Sequence, residues 1–299
     1  MLNPTLSIIF TTMKTKMLKP LFISIVLLGI SPVILSQTIT AMTYNIRYDN
    51  PEDSLNSWQN RRVILGEQIR FYHPDILGMQ EVLNNQLSFL DSVNSFYQVV
   101  GVGRDDGQAL GEYNPILFDA SIFNLVESGT FWLSETPDTV SKGWDAALPR
   151  ICTYALLHHR SQDQDILVFN THFDHVGEEA RIRSADLIVQ RIDSLNANRN
   201  LPVILMGDFN TTDYNEGYTP FMNARLADAR IMSRQQPTYG PEGTFNNFEI
   251  LKPATERIDY IFVDEQTSVL KYGVLTDSRA GIFPSDHFPV FIELRLSDN

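Results

Sequence analysis

Val203-Ile204-Leu205-Met206-Gly207-Asp208-Phe209-Asn210 is an apolar run that passes abruptly into polar chemistry, and that pattern decides the architecture. The run from Pro202 to Met206 is too short for a helix and has no polar face, which describes a strand buried on both sides. Gly207 is expected to let the backbone turn tightly. Asp208 and Asn210 are two residues apart, so in extended geometry they point the same way. An ionised carboxylate can take a proton or orient a water, and a neutral amide beside it can hold a phosphoryl oxygen without repelling it. Taken alone, the same residues also describe a plain turn, because Gly, Asp and Asn all favour turns.

The design recurs along the chain. Thr43-Tyr44-Asn45 ends a strand over Ile39–Asn45, and Glu81 follows one over Asp75–Gln80. Thr171-His172-Phe173-Asp174-His175 follows Asp165–Asn170, a nearly continuous apolar run. Arg257-Ile258-Asp259-Tyr260 opens a strand over Ile258–Val263, and Ser285-Asp286-His287 precedes one over Val290–Leu296. Carboxylates, carboxamides and imidazoles are the groups of hard-metal binding and proton transfer. Repeated at strand ends, they suggest one site at one rim. Glu81 as a magnesium ligand needs oxygen partners, and Asn45 offers a candidate carboxamide oxygen. A lone histidine is more often structural, but His172 and His175 flanking Asp174 at a strand end point to function. A zinc-type cluster is disfavoured, since no third His or Cys lies near them. Either Asp259 or Asp286 could fix the tautomer of His287. Adjacent residues on a strand point apart, so Asp286 is expected to work separately from His287.

Between these runs the spacing predicts helices over Trp58–Tyr72, Asn85–Val93 and Glu178–Asn196. Further strands are expected over Tyr97–Gly103, Pro115–Asp119, Ser121–Val126 and Ile151–His159, with a loop over Ser134–Pro149. There is no internal repeat and no linker, which leaves one α/β domain from about Thr38 to the end.

Lys14, Lys16 and Lys19 precede an apolar stretch over Leu21–Leu35 and the small residue Ser36, the layout of a secretory signal peptide over residues 1–36. Cleavage there leaves roughly 260 residues, the size of one large domain, in the periplasm or outside the cell. Cys152 is the only cysteine, so no intrachain disulfide can form, and its apolar neighbours predict a buried, inert thiol. The formal charge of −13 argues against a protein that coats nucleic acid electrostatically. A nuclease that grips one or two phosphates through a cation remains compatible with it. No Gly-rich phosphate loop and no Gly-x-Ser-x-Gly elbow is present.

In order, the clusters resemble the endonuclease/exonuclease/phosphatase superfamily of deoxyribonuclease I-like phosphoesterases, over about Thr38 to Leu296. Gly-Asp-x-Asn at 207–210 followed by Ser-Asp-His at 285–287 is the specific pair. The resemblance implies a four-layer sandwich, two mostly antiparallel or mixed sheets packed face to face with helices outside. It implies magnesium, or manganese or calcium, at Asn45 and Glu81 with Asp286 close by. It assigns His172 to the scissile phosphate, Asp208 to the attacking water, Asn210 to the amide beside it, and Asp259 and His287 to an Asp–His pair. Arg150 matches loosely as a phosphate contact. Thr171–Arg183 and Gly111-Glu112-Tyr113-Asn114 are similar to a group of exported bacterial members, and Glu112, His175 and Arg181 are expected to line the substrate pocket. Inositol-phosphatase relatives usually carry a Trp-Cys-Asp-Arg type motif where this chain has Arg257-Ile258-Asp259-Tyr260, which disfavours them. The implied reaction is hydrolysis of a phosphodiester, with nucleic acid or nucleotide fragments as leading substrate and no stable protein partner. A sphingomyelinase-type lipid phosphodiesterase is the rival, with Phe131-Trp132-Leu133 its candidate for membrane docking. An inactive binding or adhesion protein on the same fold is the rival of another class. Retention of every expected polar residue speaks against that last reading.

Overall fold

In the computed structural model the described residues are Met1, 11–13 and 38–297, and the apolar stretch of the expected leader lies outside them. All that follows concerns the second of the chain's two compact units, Ser36–Asn299. Its first half runs β1 (Ile39–Asn45), α1 (Trp58–Tyr72), β2 (Ile76–Gln80), α2 (Asn84–Val93), β3 (Tyr97–Val100), β4 (Ile116–Asp119), β5 (Phe123–Trp132) and β6 (Ile151–His159). The second half runs β7 (Gln164–His172), α3 (Glu178–Asn196), β8 (Val203–Asp208), α4 (Thr219–Asn223), β9 (Ala227–Asp228), α5 (Ala229–Met232), β10 (Asp259–Val263), β11 (Thr267–Val274) and β12 (Val290–Leu296). Among the described residues, no helix is long and apolar enough to cross a membrane.

Two six-stranded sheets result, in the orders β11-β12-β1-β2-β4-β3 and β5-β6-β7-β8-β10-β9. Each holds one parallel pair, β1 with β2 and β7 with β8, and antiparallel neighbours on both sides of it. The strands of the parallel pairs are buried almost throughout, and each pair is closed by a crossover helix, α1 or α3.

Strand parity then places every polar cluster. Ile39, Ala41, Ile76, Ile166, Val168, Ile204, Met206, Ile261 and Val263 meet in one apolar layer between the sheets. The alternate residues Met42, Tyr44, Leu77 and Met79 pack outward with Trp58, Leu65, Ile69 and Leu90 of the helices. Phe169, Leu205 and Phe262 do the same against Ala185, Ile188 and Ile192 of α3. With a period of two, Asn45, Gln80, His172, Asp208 and Asp259 share the inward parity of that central layer and terminate it at one rim.

Just below the rim the sheets are joined by polar contacts. Asn170 of β7 donates through Nδ2 to the Met79 and Pro115 carbonyls, both at 2.8 Å, and accepts from Gln80 Nε2 at 2.6 Å. Gly78 is what permits this approach, since a Cβ there would lie 2.8 Å from Asn170 Cγ and 2.6 Å from Met206 Sδ.

Some expectations need correction. Gly207 lies inside β8 and does not turn the chain; its reason is that a Cβ would sit 2.2 Å from the Thr171 carbonyl on the neighbouring strand. β5 runs on to Trp132, past the expected end at Val126. Phe131, Trp132 and Leu133 are therefore no docking hairpin: all three are buried, Phe131 and Leu133 in the layer beneath α3, and Trp132 Nε1 donates to the Arg104 carbonyl at 2.7 Å. Cys152 is buried and free as expected, and burial pushes its thiol pKa well up.

Candidate active site

Asn45 and Asp208, the last residues of β1 and β8, meet across the two sheets. Asn45 Nδ2 donates to Asp208 Oδ2 at 2.9 Å and to Glu81 Oε1 at 3.0 Å. Its Oδ1 accepts from the Arg47 amide at 3.0 Å. Asn45 thus presents N–H, not the expected oxygen, to these carboxylates, and stands behind the cavity without lining it. Glu81 follows β2 with a left-handed φ of 61°, and its Oε2 accepts from the Tyr48 amide at 3.1 Å. Asn210 also has positive φ, 45°, so two of the expected residues carry backbone strain of the kind concentrated at functional sites.

His287 resolves its open choice of partner. Its Nδ1 lies 2.9 Å from Asp259 Oδ2 and its Nε2 lies 3.8 Å from Asp208 Oδ2. Asp286 faces away, 3.8 Å from Arg47 Nε. Burial disfavours the charged imidazole, but Asp259, Asp208 and Asp286 outweigh it and raise the His287 pKa to about 10. Burial, reinforced by repulsion from Asp259, pushes the Asp208 carboxyl up to about 7. A cationic donor therefore stands beside a carboxylate poised to exchange a proton near neutrality.

His172 is kept neutral, first by burial and then by Arg150 and Arg104, which hold its pKa well below the usual value. Its Nε2 lies 3.1 Å from Asn210 Nδ2 and 3.5 Å from Asp208 Oδ2. Asn210 Nδ2 also donates to the Phe173 carbonyl at 3.0 Å. Both of its N–H groups are directed into the protein, which leaves Oδ1, an acceptor, for a water rather than for a phosphoryl oxygen.

These side chains line a cavity of about 810 Å³. Glu81, His172, Asp208, Asn210, Asp286 and His287 form one part of its wall, and Glu112, Arg150 and His175 another. Arg181 is not on the wall; it donates to the Asp174 carbonyl at 3.0 Å. Glu112 is gripped by Arg104 at 2.7 and 2.9 Å and lies 3.9 Å from His172 Nδ1. Burial raises the pKa of Glu112 against the pull of Arg104.

Asp208, Asp259 and His287 bring ligand-type atoms within 4.8 Å of one another. Their chemistry is that of proton handling: Nδ1 of His287 is taken by Asp259, and a cationic imidazole has no lone pair to give a metal. Glu81 and Asp286 fit a cation better. Burial and then, among its neighbours' charges, repulsion from Glu81 raise the pKa of Asp286 against the pull of His287. Two carboxylates held close with unfavourable charge are the hard oxygen donors a small divalent ion takes.

Several contacts that support the site were hidden in the sequence. Asp174 gathers the amides of Ala147, Leu148, Val176 and Gly177 and the Nε of Arg150, at 2.8 to 3.3 Å. It thereby sets Arg150, whose Nη2 lies 3.0 Å from His175 Nδ1. Thr244 Oγ1 accepts from the amides of Ile258 and Asp259, both at 3.1 Å, and so seats the partner of His287. Apart from Val176 and Gly177, which follow Asp174 directly, these partners lie 14 to 27 residues apart, and no local pattern announces them.

A profile of the Endonuclease/Exonuclease/phosphatase family matches residues 42–287. A Bacteroides thetaiotaomicron mannosyl-6-phosphatase is 40% identical, with 86% of this chain and 99% of that one covered and a TM-score of 0.82. The uncharacterized protein L388 of Acanthamoeba polyphaga mimivirus is 29% identical over 177 residues, 54% of this chain and 62% of that protein. The probable RNA exonuclease NGL3 of Saccharomyces cerevisiae is 28% identical over 211 residues, 61% of this chain and 40% of that protein. The chain thus spans less than two thirds of the length of these last two relatives. With the profile spanning both sheets and every polar cluster at their common rim, the chain belongs to the endonuclease/exonuclease/phosphatase family.

Proposed function

We propose that this chain hydrolyses phosphoesters by in-line attack of water, with Glu81 and Asp286 holding a divalent cation, magnesium or alternatively manganese or calcium. The arrangement of Asp208 between neutral His172 and cationic His287 carries this reading. When bound, the cation supplies charge neutralisation on the phosphate and on the departing oxygen. Asp208 takes a proton from the attacking water, and Asn210 Oδ1 orients that water's other hydrogen. His287 donates from Nε2 to a phosphoryl oxygen as charge builds there, and Asp259 keeps its Nδ1 in register. His172, uncharged, holds Asn210.

The substrate we favour is a phosphoester of a small polar alcohol. Besides the reaction's own Asp208, Glu81 and Asp286, the cavity is lined by Asp53, Glu112 and Glu256. Asp53 and Glu112 are balanced by Arg47 and Arg104, so Glu256 is the added charge that opposes a further phosphate, while all three carboxylates offer acceptors to hydroxyl donors. Similarity to the mannosyl-6-phosphatase supports this choice. Nucleotide fragments are the second reading, favoured by similarity to the probable RNA exonuclease NGL3. A sphingomyelin-type substrate is left without its docking segment by the burial of Phe131-Trp132-Leu133.

The test is a panel assay with magnesium, manganese or calcium. It compares hexose 6-phosphates, glycerol phosphate, a dinucleotide, single- and double-stranded DNA, RNA and sphingomyelin, with Asp208→Asn as control. Turnover of the monoesters, lost in Asp208→Asn by about 10²- to 10⁴-fold, is the expected result. Equal rates in Asp208→Asn, or cleavage of nucleic acid alone, would overturn the reaction or the substrate respectively.

A further inference from the structure

Beyond the reacting groups, one part of the cavity wall has no role in the chemistry. It consists of two loops. The first, Thr211 to Asn215, follows Asn210 and is tethered by Asp213, whose Oδ2 accepts from Arg257 Nη2 at 2.9 Å; Arg257 in turn stacks over Tyr260 at 4.5 Å. The second holds Phe245, Asn247 and Phe248, and is fixed by the amides of Asn246 and Asn247 donating to the Asp286 carbonyl at 2.8 and 3.1 Å. Asn247 and Phe248 are both held at positive φ, 50° and 56°. Each loop is thus anchored beside a residue of the reaction, Asp259 for the first and Asp286 for the second.

The surface these loops offer is amphipathic. Phe245 packs edge-on to the His287 ring at 5.1 Å, so the aromatic wall begins at the reacting centre. Tyr214 lines the cavity while 83% exposed, and its ring makes no aromatic or cation contact among the described residues. Asn215, Asn247 and Glu256 supply amides and a carboxylate along the same wall. Thr211 Oγ1 and Thr212 Oγ1 are buried in the first loop with no hydrogen-bond partner among the described residues, and Thr211 is only 2% exposed. Both residues line the cavity, and a ligand hydroxyl reaching either oxygen would relieve it. Both arginines of the cavity are already paired with carboxylates, Arg47 with Asp53 at 2.9 and 3.0 Å and Arg150 with Asp174 at 3.3 Å.

Resting on the phosphoester hydrolase reading, the geometry points to this two-loop wall as the subsite that selects the alcohol, taking a neutral, polyhydroxylated sugar ring with Tyr214 as its platform and Glu256, Asn215 and Asn247 on its hydroxyls. A pyranose has the required two-sided character: C–H groups on its faces to lie on an aromatic ring, and hydroxyls at its edge. A nucleobase would also lie on Tyr214, but the phosphates flanking it would meet Glu256, while the charges of Arg47 and Arg150 are already offset by Asp53 and Asp174.

Tyr214→Ala tests this without threatening the fold, because the side chain is exposed, and Thr211→Val, nearly isosteric, tests the hydroxyl. KM for hexose 6-phosphates should rise about fivefold in Tyr214→Ala, the strength of a modest aromatic contact, while KM for glycerol phosphate moves less. Saturation-transfer NMR on Asp208→Asn, which binds without turnover, reads the same contact independently: magnetisation should reach the hexose ring protons and be lost when Tyr214→Ala is added. Equal effects on hexose and glycerol phosphates, or ring signals unchanged by Tyr214→Ala, would overturn the subsite, as would a selective loss on the dinucleotide. If wild type turns over no ester, the hydrolase reading falls, and the NMR result alone decides the subsite.

Discussion

Asp174→Asn keeps the shape of a buried side chain and removes the charge that five donors share. Oδ1 accepts from the amides of Ala147, Val176 and Gly177 at 3.0, 3.0 and 2.8 Å, and Oδ2 from Leu148 N and Arg150 Nε, both at 3.3 Å. With the new NH₂ in place of Oδ2, two donors would face a donor, and buried Arg150 would lose its anion. Breaking a buried pair from one side costs about 3–5 kcal/mol, and the unpaired amide lies within that figure because the contacts are not additive. For a domain of this size the melting temperature should fall by roughly 6–20 °C. Burial opposes the charged carboxyl, but the Gly177, Ala147 and Val176 amides, helped by Arg150, hold its pKa well below the usual range. A depressed folded-state pKa means stabilisation that is present above the unfolded value, about 3.9, and is lost as pH falls through the folded one. Urea unfolding at pH 7 and at pH 3 checks both parts: the gap between wild type and variant should be full at pH 7 and shrink at pH 3. A variant within 1 kcal/mol of wild type at pH 7, or a gap unchanged at pH 3, refutes the reasoning.

Asp259→Asn should lower turnover by about 10²- to 10⁴-fold, because His287 loses the partner that holds both its orientation and its proton; steady-state kinetics on a hydrolysed monoester checks it. Chelation should abolish turnover and added magnesium restore it, while the melting temperature in chelator falls only modestly, since the core does not depend on the ion; calorimetry with and without magnesium separates the two effects. Cys152 should react with a thiol reagent only after denaturation, and Cys152→Ser should leave kcat/KM unchanged. Rapid labelling of the native protein would contradict its burial.

The residues that were legible in the sequence share a physical cause. β1, α1, β6, α3 and β12 fall where the apolar runs and the helical spacing put them, because each has one strong buried face or is buried throughout. β5 is an edge strand with no buried residue between Asn124 and Thr130, and Glu127-Ser128-Gly129-Thr130 carries no apolar pattern beyond Val126. β11 alternates with Ser268, Leu270 and Lys271 on its outer side, and it too is an edge. α4 and α5 are too short for a period to show. In the site, residues that end strands were visible because parity and burial mark them. Orientation was not: whether Asn45 turns its oxygen or its nitrogen to Glu81, and which carboxylate serves His287, depends on contacts between distant loops. Asp174 and Arg257 stood in clusters that the sequence marks, but what each holds was not legible, and Thr244 was not marked at all, because their partners include segments that only folding brings near.

Asn170 has a consequence for how the molecule can deform. Asn45, Glu81, Asp286 and His287 follow or precede strands of one sheet, while His172, Asp208 and Asp259 sit on the other. A slip of one sheet over the other by a single residue would displace these two sets by about 3.4 Å, more than the length of any hydrogen bond between them. The apolar layer between the sheets resists separation but offers little directional resistance to such sliding. The three hydrogen bonds of Asn170 to Met79, Gln80 and Pro115 supply that direction. One amide thus acts as the alignment pin of the two halves, and the tolerance of the machine is set at a position that touches no substrate.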